Sequence, residues 1–233
     1  MTNWFETPLG RRVTQEEALL AHEALDDVFG FDLLQIGLWG QARGMLGSAR
    51  TQHALVVADA AADGVVLRAQ LDALPFAADS VDAVLLPHTL ESVDDPYAVL
   101  REAERILRPE GALLICGFNP WSGWGLRRLL ARSLERPAFP PGIQRMISEQ
   151  RLKDWMALLG LDVARILGYL NPLPLGGPSL TARAYRPRPA LMCGAYLLKA
   201  RKRAQTLTLL RPRWKAPPRV LVPATEPSTR MHG

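Results

Sequence analysis

Residues 70–111 constrain the fold of this chain more than any other stretch, because they hold two apolar runs with a helical pattern between them. The first run, residues 81–86 (VDAVLL), is short and rich in valine and leucine, which is typical of a strand buried on both faces of a parallel sheet. Pro96 and Pro109 mark the start and the end of the intervening helix. The second run is residues 112–116 (ALLIC). This order of strand, helix and strand predicts a right-handed parallel crossover.

The same stretch resembles the class I S-adenosylmethionine (SAM) methyltransferases, and most of all their small type 11 branch. The resemblance rests on short pieces in a fixed order: Leu74-Pro75-Phe76, Ser80-Val81-Asp82, Leu90-Glu91, Asp95-Pro96, Leu100-Arg101-Glu102, and Arg105-Ile106-Leu107-Arg108-Pro109 with Gly111. It implies an α/β, three-layer Rossmann-like methyltransferase fold with a mostly parallel seven-stranded sheet, and SAM as the cofactor. It also implies methyl transfer to a small-molecule or lipid-like acceptor.

Further apolar runs supply the remaining strands. We expect these strands at residues 31–37, 53–59, 65–70, 161–170 and 190–199, of which the last two match the antiparallel closing pair of the resembled fold. Residues 60–64 alone separate the second strand from the third, and a parallel crossover normally needs a dozen or more residues. One of these two strands is therefore expected to be short or irregular. Short helices are expected over residues 42–48 and 148–159.

The loop after the first strand departs from the resembled family, whose pattern there is acid-x-Gly-x-Gly-x-Gly. In this chain Gln35 replaces the acid, Gly37 keeps the first glycine, Trp39 replaces the second, and Gly40 lies one position early. Close approach of the backbone at such a loop leaves room for the methionine end of SAM. Two interpretations follow. Either the pocket is rebuilt and still binds SAM, with Gln35 hydrogen-bonding the ligand ammonium, or the chain is a non-catalytic methyltransferase-like binding module.

Other cofactor candidates follow the second and third strands. Asp59 lies 22 residues after Gly37, close to the offset at which an acid meets the ribose hydroxyls in nucleotide-binding Rossmann folds. The resemblance places Gln70, Leu71 and Asp72 near the adenine. The acids are also consistent with solvated loop positions.

Pro87 and His88 lie at the carboxyl end of the fourth strand, on the edge where open α/β sheets bind ligands. A histidine titrates near neutral pH, so His88 is the candidate catalytic base or orienting group. The alternative is that it caps the next helix. Glu91 follows on the same turn.

Two segments flank this core. Thr14 and Glu17 form a capping box that predicts a helix ending at Gly30, so residues 1–30 are a helical lead-in that packs on the sheet or belongs to a substrate lid. Residues 120–147 form a lid-like insertion with a basic amphipathic helix. Tryptophans beside arginines there also suit a membrane interface, and Trp124 is alternatively a core residue.

Charge is divided unevenly along the chain. Residues 1–162 carry 15 Lys/Arg and 22 Asp/Glu, a net charge of −7, whereas residues 163–233 carry 13 Lys/Arg and one acid, a net charge of +12. We therefore expect a methyltransferase-like domain over residues 1–203 and a basic, proline-rich, disordered tail over 204–233. Weak contact of the tail with an anionic membrane or with RNA is a third interpretation of function.

The cysteines and histidines indicate whether the chain forms disulfides and whether it binds a metal. The chain has two cysteines, Cys116 and Cys193, and Cys116 falls in a buried run, which disfavours a disulfide framework. No signal peptide and no membrane-spanning run is visible, so we expect a cytoplasmic protein. The four histidines and two cysteines lack the spacing of metal ligands, and we expect no metal.

Overall fold

The computed structural model of the chain describes residues 4–47, 49–133, 139–140, 142–170 and 193–204. In this part of the chain, a short 3-10 helix at Trp4–Glu6 precedes five α-helices and seven strands. The helices are α1 (Pro8–Leu25), α2 (Thr89–Ser92), α3 (Pro96–Ile106), α4 (Gly123–Ser133) and α5 (Glu149–Leu158). The strands are β1 (Phe29–Ile36), β2 (Arg50–Ala58), β3 (Leu67–Arg68), β4 (Val81–Pro87), β5 (Leu107–Phe118), β6 (Leu161–Tyr169) and β7 (Ala195–Lys202). The tail expected from residue 204 onward lies, apart from its first residue, outside these ranges.

The seven strands form one sheet in the order β3-β2-β1-β4-β5-β7-β6. Neighbours from β3 to β5 pair in parallel, whereas β7 pairs antiparallel with both β5 and β6. The predicted mostly parallel, seven-stranded α/β fold is therefore confirmed. The strand order reverses between β1 and β4, which makes the carboxyl ends of these two strands the expected place for a ligand.

The strand–helix–strand unit predicted from residues 70–111 is present as β4, α3 and β5. Asp95 caps α3 by accepting the backbone N–H of Ala98 at 3.0 Å, and Pro96 opens the helix. β5 begins earlier than the apolar run suggests, at Leu107 directly after α3. Its first pairing, Val81 with Leu107, is separated from the next by a shift in register. This part of β5 contains Pro109 and Gly111, which do not favour a strand in the sequence.

Helix α1 begins at Pro8, six residues before the start expected at Thr14. Thr7 is its N-cap, since the Thr7 hydroxyl oxygen accepts the backbone N–H of Gly10 at 3.0 Å. Thr14 lies inside the helix and donates back to the carbonyl of Gly10 at 3.1 Å. The capping box and the end at Gly30 were therefore wrong, because the Thr-Pro pair provides an earlier start and the helix ends at Leu25.

Two other local expectations also need correction. The helix expected over residues 42–48 is a series of tight turns among the described residues, with the N–H of Gly44 donating to Gln41 and that of Leu46 to Arg43. The third strand, expected over residues 65–70, consists of Leu67–Arg68 only. This agrees with the expectation that the short link after β2 leaves one strand irregular.

Apolar side chains cover the sheet on both faces, which gives the three layers of the fold. On one face, the core cluster includes Val13 and Leu20 of α1 together with Trp39. On the other face, the cluster includes Leu100 of α3 and Leu152 of α5. No helix of the described residues combines the length and the apolar character that crossing a membrane requires.

The corrected start of α1 is open to a direct test. Thr7→Ala is expected to lower the free energy of unfolding by about 1 kcal/mol, because the N–H of Gly10 loses its acceptor. Thr14→Ala is the matched control, and it should change that free energy by less than about 0.5 kcal/mol because its hydroxyl only donates to carbonyls of the helix. Urea unfolding followed by circular dichroism measures both. A larger loss at Thr14 than at Thr7 would contradict this assignment of the cap.

Candidate active site

His88 stands where β4 ends and α2 begins, at the carboxyl edge of the sheet. Its backbone is left-handed, with φ 55° and ψ 14°, a conformation that non-glycine residues seldom adopt. Its N–H donates to the carbonyl of Cys116 at 3.1 Å. This turn directs the side chain into the protein, where only 1% of the residue is exposed.

Both ring nitrogens of His88 contact carboxylates. Nδ1 lies 2.6 Å from Oε2 of Glu91, and Nε2 lies 2.8 Å from Oε1 of Glu17. The imidazole packs against two aromatic rings, with its centroid 4.1 Å from that of Trp39 and 4.3 Å from that of Phe118. A buried charge is stable only when it is paired, and His88 has two carboxylate partners.

Burial by itself lowers the pKa of His88, but the charge of Glu17 and the hydrogen bonds to Glu17 and Glu91 outweigh it and raise this pKa to about 9. The ring is therefore an imidazolium at neutral pH, and both N–H groups donate. Burial raises the pKa of Glu91, against the hydrogen bonds that Glu91 accepts from His88 and from the N–H of Phe118 at 3.0 Å.

Glu17 joins four parts of the fold through one carboxylate. It projects from α1, accepts the Tyr169 hydroxyl of β6 at 2.8 Å, meets His88 after β4, and accepts the indole N–H of Trp39 in the loop after β1. Its side chain is fully buried. We refer to Glu17, His88, Glu91 and Tyr169 as the buried network. It fixes α1 and the β1 loop on the carboxyl edge of the sheet.

Sequence patterns did not indicate Glu17 or Tyr169 as site residues. The signal for Glu17 was present, since it lies on the same helical face as Val13 and Leu20, where an acid needs a buried partner. The expected start of α1 at Thr14 assigned Glu17 to a capping box instead, so this signal was not used.

Trp39, which replaces the second glycine of the loop, is 5% exposed and packs as a core residue. Its ring lies 5.1 Å from that of Phe5 and 6.0 Å from that of Phe118, centroid to centroid. The loop around it uses glycine where the backbone is left-handed, at Gly37 (φ 91°) and Gly40 (φ 58°). A Cβ on Gly37 would lie 2.6 Å from the Thr89 hydroxyl, so this glycine is required by a close contact as well as by its φ.

Gln35, which replaces the acid of the family pattern, lies near the end of β1 and is 1% exposed. Its Nε2 donates to the carbonyl of Gly37 at 3.1 Å. Because a carbonyl accepts only from a donor, this contact fixes which amide atom is the nitrogen. Its Oε1 is the one buried side-chain nitrogen or oxygen of the described residues without a hydrogen-bond partner. Such an orphan acceptor is costly unless a donor binds there.

The remaining predicted cofactor residues lie after the neighbouring strands. Asp59 follows β2 and is exposed, and its carbonyl accepts from Arg68 at 2.9 Å. Gln70 and Asp72 follow β3 and are exposed, while Leu71 between them is buried. Pro87 is buried at the end of β4. Parallel strands place their carboxyl ends on one edge, so these residues share the edge that carries Gln35 and His88.

Among the described residues, no group of acids, histidines and cysteines is arranged to hold a metal ion.

Known proteins that are similar in sequence to this chain include methyltransferases. Residues 41–115 match the family model described as a methyltransferase domain. The chain is 36% identical over 211 residues to the uncharacterized protein YafS of Escherichia coli strain K12, a match that covers 88% of this chain and 82% of that protein. It is 39% identical over 69 residues to a demethylmenaquinone methyltransferase of Mycobacterium bovis, which covers 28% of this chain and 30% of that protein.

Solved structures with the same fold include SAM-dependent methyltransferases. One is a SAM-dependent methyltransferase of Thermotoga maritima described as a possible histamine N-methyltransferase, with a TM-score of 0.60, 21% identity, and coverage of 86% of this chain and 93% of that one. Another is a geranyl diphosphate methyltransferase in complex with SAM, with a TM-score of 0.56, 20% identity, and coverage of 84% and 89%. At these identities the likeness shows the fold.

The charge on His88 predicts how stability depends on pH. The pKa of about 9 in the folded chain exceeds the ordinary histidine value of 6.5, so the folded state binds this proton more tightly than the unfolded state. The stabilisation is complete below pH 6.5 and is lost as the pH rises through 9. We expect the free energy of unfolding to fall by about 3 kcal/mol across this window. Urea unfolding at several pH values measures it.

Two variants provide the comparison for this pH dependence. His88→Gln should lack the decline because the titrating group is gone, whatever its overall stability. His53→Gln should keep the decline, since His53 lies on the surface beside Asp32. An identical pH slope in the parent chain and in His88→Gln would show that His88 is not held as a cation.

Proposed function

Since this chain belongs to the class I SAM-dependent methyltransferases, we propose that it transfers the methyl group of SAM to a small-molecule or lipid-like acceptor at the carboxyl edge of its sheet. The observation that carries this proposal is the buried, unpartnered Oε1 of Gln35 at the end of β1. A positively charged ammonium is the donor that such an acceptor would favour, and charge-assisted hydrogen bonds are stronger than neutral ones.

The residues of this edge fit the cofactor. Gln35 would accept from the ammonium of the methionine end, and the turn at Gly37 and Gly40 would let the backbone come close to it. Asp59, exposed at the end of β2, would bind the ribose hydroxyls. Gln70, Leu71 and Asp72 would line the adenine side.

The indole of Trp39 packs against residues of α1, of β5 and of the turn after β4. Its ring contacts His88, directly after β4, and the edge of Phe118 at the end of β5, and its N–H donates to Glu17. The side chain that replaced a glycine is thus accommodated by the protein core. This supports a rebuilt pocket rather than one that Trp39 occupies.

When bound, SAM supplies a methyl group that its sulfonium activates, so the chain itself contributes position and shielding from water. The buried network performs the positioning, because it holds α1 and the β1 loop against the sheet. His88 was our candidate base for a hydroxyl acceptor. As the ring lies, both nitrogens carry protons and are engaged, so we propose that His88 positions the edge, and that it acts as a base only after one nitrogen has lost its proton and left its carboxylate.

A second candidate function is a non-catalytic binding module. The observation that favours it is the same aromatic packing, since Trp39, His88 and Phe118 leave part of the edge closed. This alternative predicts no affinity for SAM in the unaltered chain. The third interpretation, an anionic-surface binder acting through the tail, concerns residues beyond those described and stays a prediction.

Calorimetric titration with SAM tests the cofactor site. Asp59→Ala is expected to weaken SAM binding by about 1.5–3 kcal/mol, the range for a hydrogen bond to a charged group. Asp63→Ala is the matched control, since Asp63 is an exposed acid four residues further along the same loop. It should leave the affinity unchanged. Equal affinities in the parent and the Asp59 variant would remove Asp59 from the site.

Gln35→Met tests the observation on which the proposal depends. The thioether keeps the approximate shape of the amide but removes the acceptor, so SAM affinity should fall about tenfold or more. The free energy of unfolding should change little, because loss of the unsatisfied oxygen offsets loss of the bond to Gly37. A variant that binds SAM as tightly as the parent would contradict the role of Gln35.

A further inference from the structure

Thr89 is the first residue of α2 and lies directly after His88 in the chain. It is 2% exposed, and its hydroxyl donates to the carbonyl of Ile36, the last residue of β1, at 2.5 Å. The pairing of β1 with β4 ends one residue earlier, at Gln35 and Leu85. On this side of β1, the Thr89 hydroxyl therefore continues the attachment of the strand after the backbone pairing has stopped.

The peptide group between Ile36 and Gly37 is held at both of its polar atoms. Its carbonyl accepts from Thr89, and its N–H, which belongs to Gly37, donates to the carbonyl of Val57 in β2 at 2.8 Å. The Thr89 side chain also fills the space beside Gly37, because a Cβ on that glycine would lie 2.6 Å from the Thr89 hydroxyl oxygen and 2.8 Å from its Cγ2. The end of β1 is thus fixed between β2 and the start of α2.

The amide of Gln35 depends on this peptide group for its orientation. Its Nε2 donates to the Gly37 carbonyl at 3.1 Å, and this bond leaves Oε1 as the atom without a partner. A rotation of the peptide between Ile36 and Gly37 would move the Gly37 carbonyl and release the amide. We propose that Thr89 is a positioning residue for the cofactor, because it fixes the peptide that holds Gln35 Oε1 ready to accept from the ammonium of SAM. The inference rests on the proposed function, and Thr89 acts through Gln35 rather than by touching the ligand.

The hydroxyl of Thr89 and the rest of its side chain have separable roles. A threonine at the start of a helix often turns its hydroxyl to the backbone of its own helix. Here the hydroxyl is directed at β1 instead. Valine has the same branched shape and lacks the donor, so Thr89→Val removes the bond to Ile36 while the packing on Gly37 is retained.

The test is calorimetric titration of SAM into the parent chain and into variants of Thr89. We expect Thr89→Val to weaken SAM binding about fivefold or more, because the peptide that orients Gln35 loses a hydrogen bond. Thr89→Ala also lacks the hydroxyl but places no methyl group against the Ile36 carbonyl, and it should show the same loss. Thr89→Ser keeps the hydroxyl and should bind SAM within about twofold of the parent.

Two measurements separate positioning from damage to the fold. Methylthioadenosine has the adenine and ribose of SAM but no amino-acid end, so Thr89→Val should bind it within about twofold of the parent. In a chain that already carries Gln35→Met, adding Thr89→Val should change SAM affinity by less than about twofold, because both substitutions act on the same contact. A purely structural role of Thr89 would weaken both ligands and would lower SAM affinity in both chains.

The matched control is Ser92→Ala, which removes a hydroxyl of the same helix that donates to the Thr89 carbonyl at 2.9 Å. This variant should bind SAM like the parent, whatever its melting temperature. If Thr89→Val and Thr89→Ala bind SAM as tightly as the parent, the inference is overturned and the proposed function still stands. An equal loss of SAM and methylthioadenosine affinity would overturn it as well. Absence of SAM binding by the parent would instead contradict the proposed function, and this inference with it.

Discussion

The contact of the buried His88 ring with Glu17 and Glu91 is the interaction on which the carboxyl edge of the sheet depends. A buried charge needs oppositely charged groups within hydrogen-bond distance. For His88 these groups are Glu17 of α1 and Glu91 of α2, which lie far apart along the chain. The carboxylates hold the ring as a cation, and the ring in turn holds α1 over the sheet. Removing one member would leave the others buried without compensation, so the network is either kept whole or lost with the local fold.

The network divides the edge into two halves with different properties. At the ends of β4 and β5, the rings of Trp39, His88 and Phe118 pack together and are buried. Over β1 and β2, Gln35 offers a buried oxygen without a donor, and Asp59 is exposed. A stable protein seldom keeps an unsatisfied buried acceptor without a use for it. The aromatic half therefore provides rigidity, while the half at β1 and β2 retains the polar groups that a cofactor with an ammonium and a ribose would need.

Much of the architecture could be predicted from the sequence because its signals are local. The apolar runs of β4 and β5 and the Asp95 cap of α3 follow rules that act over a few residues, and the family resemblance implied a mostly parallel, seven-stranded sheet with an antiparallel closing pair. The site was harder to predict because it is built from long-range contacts. Nothing near Glu17 in the sequence indicates its bond to His88, and the position of Trp39 beside a glycine did not reveal which way its indole turns. The Glu17–His88 bond and the direction of the Trp39 indole both depend on side chains that the fold brings together from distant parts of the chain.

Titration of SAM into the parent chain and into Trp39→Gly tests most directly the claim that the tryptophan belongs to the core and not to the cofactor pocket. We expect the parent to bind SAM. We expect Trp39→Gly to be less stable to unfolding by about 3–5 kcal/mol, as for loss of a buried aromatic side chain, and to bind SAM no more tightly. A glycine variant that binds SAM when the parent does not would contradict it, and would show that Trp39 occludes the site.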